Sequence, residues 1–113
     1  MKLVLDTSAL LYIVEHRLDI WELSEHEIYI PSAVLEELNA LSRRSRKARV
    51  ALQLLSLLKY KVVERGGPAD KAVLETAVEE GAVLITGDTA LAEEARRRGV
   101  PVAKFHKGQL AIY

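Results

Sequence analysis

The sequence predicts a single-domain α/β protein, residues 1–113, built around a mostly parallel sheet. Short apolar runs that suit buried strands alternate with longer segments of helical periodicity. Glycine and proline interrupt the chain between segments, and three of the four aspartates stand where an apolar run gives way to a helix. Strands that alternate with helices pair in parallel beneath layers of helix. The expected architecture is a three-layer α/β fold with four to five strands.

The first half of the chain is predicted from apolar runs and helix-start signals. Asp19 and Glu22 have the spacing of a capping box, so Asp19 is interpreted as structural. Pro31 stops a strand, and Ser32 is the expected N-cap of the helix that follows. The expected elements are a strand at 2–6, a helix at 7–15, a short helix at 19–23, a strand at 28–30, and helices at 32–41 and 46–60.

The second half is divided by glycines. A Gly-Gly-Pro break at 66–68 precedes a helix, and Gly81 has the position of a C′ residue that ends it. The tail suits either an edge strand or a docking arm. The expected elements are a strand at 61–64, a helix at 69–80, a strand at 82–86, a helix at 89–98, a strand at 100–104 and the tail at 105–113.

Composition excludes several classes of function. The net charge is zero, so contact with a polyanion needs a local basic patch. The chain has no cysteine, which excludes disulfides, thiol catalysis and cysteine-bound zinc. The longest apolar run, 9–14, is far below the roughly 20 residues that span a bilayer, and the N-terminus lacks a signal-peptide core. We expect no membrane contact and a cytoplasmic location; many glutamates and few amides resemble a thermophile's composition.

Asp6, Asp70 and Asp88 all lie at predicted strand-to-helix junctions. In a parallel sheet the carboxyl ends of the strands share one edge, and ligands bind in the crevice outside that edge. Carboxylates gathered there repel one another unless a cation or protons compensate. The sequence therefore points to a divalent metal ion at this edge.

Helix geometry adds a fourth carboxylate. The apolar residues of the 32–41 helix fix its buried direction at 100° per residue. Glu36 points about 170° away from that direction, whereas Glu37 lies about 90° from it and can reach a cleft. Each acid also has a simpler interpretation: an N-cap for Asp70 and Asp88, and a solvated helix residue for Glu37. Asp6 is harder to explain as a cap, because Thr7 or Ser8 could cap instead.

Mg²⁺ binds a few carboxylates and waters without needing histidine or cysteine. Such an ion can hold a phosphodiester and activate water. At this point the chain resembles the PIN-domain nucleases over nearly its whole length. The likeness rests on residues 5–10 (LDTSAL), 31–38 (PSAVLEEL), Asp70 with Ala77, 85–91 (ITGDTAL) and 99–102 (GVPV).

The resemblance implies a PIN-like α/β/α sandwich and hydrolysis of RNA by metal-activated water. It implies that four acids hold Mg²⁺ or Mn²⁺ and that three hydroxyls support them. Gly87 stands where the family often has asparagine, which loosens the turn or removes a side-chain contact but removes no ligand. The implied acids are Asp6, Glu37, Asp70 and Asp88, and the supporting residues are Thr7, Ser8 and Thr86.

One dense basic stretch, residues 43–49, could attract RNA to such a site. A solvated helix face explains the same charges equally well. Its cations are Arg43, Arg44, Arg46, Lys47 and Arg49.

Two biological roles fit the resemblance: a VapC-like toxin neutralised by a partner antitoxin, and a PIN endonuclease of small-subunit rRNA processing. Two further alternatives are a receiver-like phospho-acceptor domain and a PIN-fold protein that binds RNA without cutting it. The apolar tail is compatible with a homodimer.

Overall fold

The computed structural model describes residues 1–106 and 109–112. Strands and helices alternate along it, as predicted. Its elements are β1 (Lys2–Leu5), α1 (Thr7–Glu15), a 3₁₀ helix (Ile20–Glu25), β2 (Glu27–Pro31), α2 (Ser32–Ser42), α3 (Arg46–Leu55), β3 (Tyr60–Val63), α4 (Ala69–Glu80), β4 (Val83–Ile85), α5 (Thr89–Arg97), β5 (Val102–His106) and β6 (Gln109–Ile112).

The sheet has six strands in the order β3-β2-β1-β4-β5-β6. All neighbours pair in parallel except β5 and β6, which are antiparallel. The mostly parallel α/β prediction is confirmed. The sheet has one strand more than the four to five predicted, because part of the 105–113 tail forms the edge strand β6. Residues 107, 108 and 113 of that tail lie outside the described residues.

The strand order decides against the receiver-like alternative. A receiver-like domain has the order 2-1-3-4-5. Here the chain runs outward from β1 through β2 to β3, returns to place β4 beside β1, and then continues to β5. The direction of progress therefore reverses between β1 and β4, which is where an open α/β sheet forms its ligand-binding crevice.

The core lies on both faces of the central strands. Leu3, Val4, Leu5, Leu84 and Ile85 are all fully buried, and each buried aliphatic side chain of this size contributes about 1.5–3 kcal/mol. Right-handed crossovers place α1 and α3 on one face and α4 and α5 on the other, while α2 contacts both α3 and α4. Within the described ranges, no helix is long and apolar enough to cross a membrane.

Capping and helix-ending residues predicted most helix ends correctly, with two exceptions. Asp19 caps the 3₁₀ helix by accepting a hydrogen bond from the Trp21 N–H, and Gly81 ends α4 in a left-handed conformation. Ser32, however, is not an N-cap: the capping position is Pro31, and Ser32 is the first residue of α2. The α3 helix ends at Leu55, well before the predicted residue 60, because the chain must turn to enter β3.

Arg65 holds the connection between β3 and α4 in place. Its backbone N–H donates to Ser32 Oγ at 3.0 Å, and its carbonyl accepts from the Ala33 N–H at 3.2 Å. Its guanidinium pairs with Glu75 at 2.7 Å and with Glu79, both on α4. One residue thus fixes the start of α2 and the direction of α4 relative to each other.

Replacing Arg65 with methionine is expected to lower the free energy of unfolding by about 1–3 kcal/mol, because hydrogen bonds to charged groups contribute about that much. The measurement is urea denaturation of wild type and variant. Lys71→Met is the matched control: it removes a more exposed partner of the same Glu75, at 3.9 Å, and should cost about 0.5 kcal/mol or less. Equal losses in the two variants would contradict this assignment for Arg65.

Candidate active site at the carboxyl edge of the sheet

A cavity of about 230 Å³ opens at the carboxyl ends of β1 and β4, at the reversal point of the sheet. All four predicted acids line it. The remaining walls come from the first turns of α1 and α4. The lining residues are Asp6, Thr7, Ser8, Leu11, Glu37, Ala69, Asp70 and Asp88.

Asp6 is the most buried of the four acids, at 5% exposure. It follows β1 directly and caps α1, because its Oδ1 accepts from the Ala9 N–H at 2.8 Å. The alternative that Thr7 or Ser8 caps this helix is therefore wrong. The Ser8 hydroxyl lies 2.8 and 3.0 Å from the two carboxylate oxygens, and the Thr86 hydroxyl donates to Oδ2. A buried carboxylate needs such donors to keep its charge.

The same two hydroxyls bind the loop between β4 and α5. Ser8 Oγ accepts from the Gly87 N–H at 3.0 Å, and Thr86 Oγ1 accepts from the Asp88 N–H at 2.9 Å. Each hydroxyl thus accepts a hydrogen bond from the loop and donates one to Asp6. The arrangement ties the end of β1 to the end of β4, although the residues are about eighty positions apart in sequence.

Asp88 and Asp70 enter the cavity in different ways. Asp88 caps α5, because its Oδ1 accepts from the Leu91 N–H at 3.1 Å. Asp88 is therefore both the predicted N-cap and a lining residue of the cavity. The capping interpretation of Asp70 is wrong, because Asp70 is the second residue of α4 and Pro68 occupies the capping position. Asp70 lies in the first turn of α4, where the helix dipole favours an ionised carboxylate.

Glu37 lines the cavity from the middle of α2, whereas Glu36 is not among the lining residues, although both side chains are exposed. Leu11 and Ala69 complete the wall. No sequence signal marked these two, because an apolar residue within a helix is usually interpreted as core.

The acids perturb one another. Partial burial raises the pKa of Asp70, and the charges of Asp88 and Glu37 raise it further. Burial also raises the pKa of Asp6; hydrogen bonds from Thr86, the Ala9 N–H and Ser8 oppose this increase, and the charge of Asp70 adds to it. The cavity therefore holds more negative charge than its surroundings neutralise.

The donor set suits a hard, hydrated cation. Every polar side chain lining the cavity presents oxygen, the ligand atom that Mg²⁺ and Mn²⁺ prefer. Thr7 Oγ1 is buried against this cavity without a hydrogen-bond partner. Within the described residues, 1–106 and 109–112, however, no three acidic or histidine side chains lie close enough together to hold an ion directly. The residues fit a cation that keeps much of its water shell.

The basic stretch lies outside the cavity, since none of its five cations is among the lining residues. Lys47 pairs with Glu15 at 3.4 Å, and Arg49 Nη1 donates to the Ser42 carbonyl at 2.8 Å. The exposed cations Arg43, Arg44 and Arg46 pair with no carboxylate in the described part of the chain. Arg46 lies at the N-terminus of α3, where its charge opposes the helix dipole, whereas Arg43 and Arg44 lie at the C-terminus of α2, where the dipole favours positive charge.

Comparison with solved structures shows the same fold in several proteins. The PIN domain endonuclease Utp24 superposes with a TM-score of 0.81 at 17% identity, over 98% of this chain and 90% of that one. The VapBC2 structure from Rickettsia felis, bound to a promoter DNA fragment, contains a chain with a TM-score of 0.68 at 20% identity, over 94% of this chain and all of that one.

Sequence comparison identifies closer relatives. Ribonuclease VapC9 of Archaeoglobus fulgidus is 33% identical over 88% of this chain and 78% of its own length. Ribonuclease VapC4 of Methanocaldococcus jannaschii is 32% identical over 89% of this chain and 87% of its own. A family model described as a PIN like domain matches residues 3–107. The chain therefore belongs to the PIN-domain family.

Proposed function

We propose that this protein is a Mg²⁺- or Mn²⁺-dependent ribonuclease and the toxin of a VapC-type toxin–antitoxin pair. The observation that carries the proposal is the single cavity lined by Asp6, Glu37, Asp70 and Asp88, with two hydroxyls that hydrogen-bond the carboxylate of Asp6. Relatives about one third identical over most of their length are named ribonucleases, which supports RNA as the substrate.

The four acids would hold the cation at the mouth of the crevice. A bound Mg²⁺ supplies Lewis-acid stabilisation of the phosphodiester and lowers the pKa of a coordinated water. Asp6 is oriented for this role by three donors, so its carboxylate does not rotate freely. Glu37 and Asp70 lie on two helices whose relative position Arg65 fixes. Thr7 offers an unused hydroxyl beside them.

The protein also supplies positive potential for an anionic substrate. The α1, α4 and α5 helices all begin at this cavity, and a helix N-terminus attracts phosphate. Arg43, Arg44 and Arg46 extend this attraction from the far end of α2, so they would bind the RNA strand away from the cleaved bond. Lys47 and Arg49 already contact protein groups and have a smaller part in this role.

The toxin role draws on the VapC names of the sequence relatives and on the VapBC2 assembly among the fold neighbours. An antitoxin chain would then be the protein partner. The likeness to Utp24 is one of fold alone at 17% identity, so it does not favour the rRNA-processing role.

A matched pair of variants tests the site. Glu37→Gln is expected to lower cleavage of single-stranded RNA in Mg²⁺ or Mn²⁺ by at least about 100-fold, because it removes a charge that would hold the cation. Glu36→Gln removes the same charge one residue away and should change the rate by less than about twofold. The measurement is the initial cleavage rate of a labelled RNA, with EDTA as the metal-free control. Cleavage that persists in EDTA or in Glu37→Gln contradicts the proposal.

A second matched pair tests the basic stretch. The triple variant Arg43→Gln/Arg44→Gln/Arg46→Gln should weaken RNA binding and reduce the dependence of log K on log salt by about two, since each lost phosphate contact on a single strand contributes about 0.7. Binding is measured by fluorescence anisotropy in EDTA. The control, Lys2→Gln/Lys59→Gln/Lys61→Gln, removes equal charge at the amino ends of the strands. If both triples lower the slope equally, net charge alone attracts the RNA.

The burial of Asp70 and the charges of Asp88 and Glu37 together predict a pH-dependent effect on metal-free protein. The folded-state pKa of Asp70 is raised above 3.8, so its destabilising effect is absent below that pH and appears as the pH rises through the folded pKa. Asp70→Asn is therefore expected to raise the thermal unfolding midpoint at pH 7 in EDTA, with the difference shrinking as the pH falls toward 3.8. The α4 dipole acts oppositely, by about 0.3–1 kcal/mol.

The unfolding midpoints are measured by circular dichroism across this pH range. Glu36→Gln is the control and should leave the midpoint unchanged at every pH. A midpoint for Asp70→Asn at or below that of wild type at pH 7 would show that the dipole outweighs the repulsion.

A further inference from the structure

A second cavity, of about 210 Å³, adjoins the carboxylate cavity. It lies between α1 and β5, while α5 packs against the other face of β5. None of the four acids lines it. Its walls combine two aromatic rings, one lysine, one hydroxyl and a glycine. The lining residues are Ala9, Tyr12, Thr86, Gly87, Lys104 and Phe105.

Only one layer of side chains separates the two cavities. Ser8 lines the first and Thr86 the second, and their hydroxyl oxygens are 3.4 Å apart. Both hydroxyls contact the Asp6 carboxylate. A nucleotide with its phosphate at the carboxylate cavity can therefore place its own base in the second one.

The second cavity has the surfaces that a base requires. The rings of Tyr12 and Phe105 are stacked with their centroids 5.7 Å apart and their planes 4° apart, and His16 stacks on Tyr12 at 4.0 Å. This stack holds Phe105 as a fixed aromatic wall. Bases stack on such walls whatever their sequence. The half-buried Lys104 adds a positive charge that no carboxylate of the described residues pairs with.

Gly87 adds no side chain to the space between the two cavities. Its backbone is not in the left-handed region, so its conformation does not demand glycine. A Cβ built there would meet one heavy atom within 4 Å, Ser8 Oγ at 3.6 Å. A larger side chain fits the backbone but would extend into space between the two cavities.

We propose that the second cavity is a base subsite for the nucleotide next to the cleaved phosphodiester of single-stranded RNA. The base stacks against Phe105, and Lys104 binds the next phosphate along the strand, on the side of this nucleotide away from the carboxylate cavity. This inference rests on the proposed ribonuclease function, and it makes Phe105 and Lys104 determinants of substrate position.

The test combines variants of the protein with base-containing and abasic variants of an RNA substrate, in the manner of a double-mutant cycle. The probe is the shortest single-stranded oligoribonucleotide that reproduces the main cleavage made by wild type in total RNA. In a second series, an abasic ribonucleotide replaces each position around that cleavage in turn. The kcat/KM of each abasic probe is measured relative to that of the intact probe. These ratios are compared for wild type, Phe105→Leu, Lys104→Met and Gly87→Val. Trp21→Leu, which changes an exposed aromatic residue outside the cavity, is the control.

Wild type and Trp21→Leu should lose about tenfold in kcat/KM when the abasic unit lies next to the cleaved bond, as expected for one lost stacking contact. Phe105→Leu and Gly87→Val should cleave the base-containing and abasic probes almost equally. Lys104→Met should lower kcat/KM by the same factor for the base-containing and the abasic probes, because the abasic unit keeps its phosphate.

Two results overturn the inference and are distinguishable. If wild type cleaves RNA but Phe105→Leu retains the full abasic effect, Phe105 only packs α1 against β5, and the ribonuclease function stands. If wild type cleaves no RNA in Mg²⁺ or Mn²⁺, the proposed function fails and the subsite fails with it.

Discussion

The rest of this structure depends on one buried carboxylate, that of Asp6. It lies between β1 and β4, where a charge in the core would be costly without hydrogen bonds. The Ser8 and Thr86 hydroxyls provide these bonds and are themselves fixed by N–H groups of the β4–α5 loop. The position of this loop, and of Asp88 within it, is thus coupled to the Asp6 carboxyl group through these hydroxyls. Removing the charge would alter the geometry of the whole edge.

The cavity shows how a fold can retain an arrangement that lowers its own stability. Three helix starts and the middle of a fourth helix direct acids to one point, where burial raises the pKa of Asp6 and of Asp70 and the neighbouring charges raise both further. The fully buried strands and the Arg65 network supply stability elsewhere. Active sites commonly combine local destabilisation with a rigid surrounding scaffold, because the site needs charge that only its ligand neutralises.

Much of this could be predicted from sequence, because several signals were local. Strand-to-helix junctions marked the three aspartates, and the 100° helix period separated Glu37 from Glu36. What escaped prediction depends on contacts between distant segments. Ser32 lost its expected capping role because it accepts a bond from Arg65, and the strand β6 exists only through pairing with β5. The cavity between Tyr12 and Phe105 joins residues more than ninety positions apart, which no periodicity reveals.

The spread of the four acids along the chain has a consequence for local unfolding. Asp6 comes from the first strand, whereas Asp88 follows β4 in the C-terminal part of the sheet. A ligand bound to both would act as a non-covalent cross-link between two segments that are distant along the chain and adjacent in the sheet. If the β4–α5 unit opens, the ligand loses Asp88, so opening and binding compete. Ligand binding should therefore slow amide exchange and proteolytic cleavage in α5 and β5. The remaining acids of the same site include Asp6, which follows β1, and Glu37 of α2.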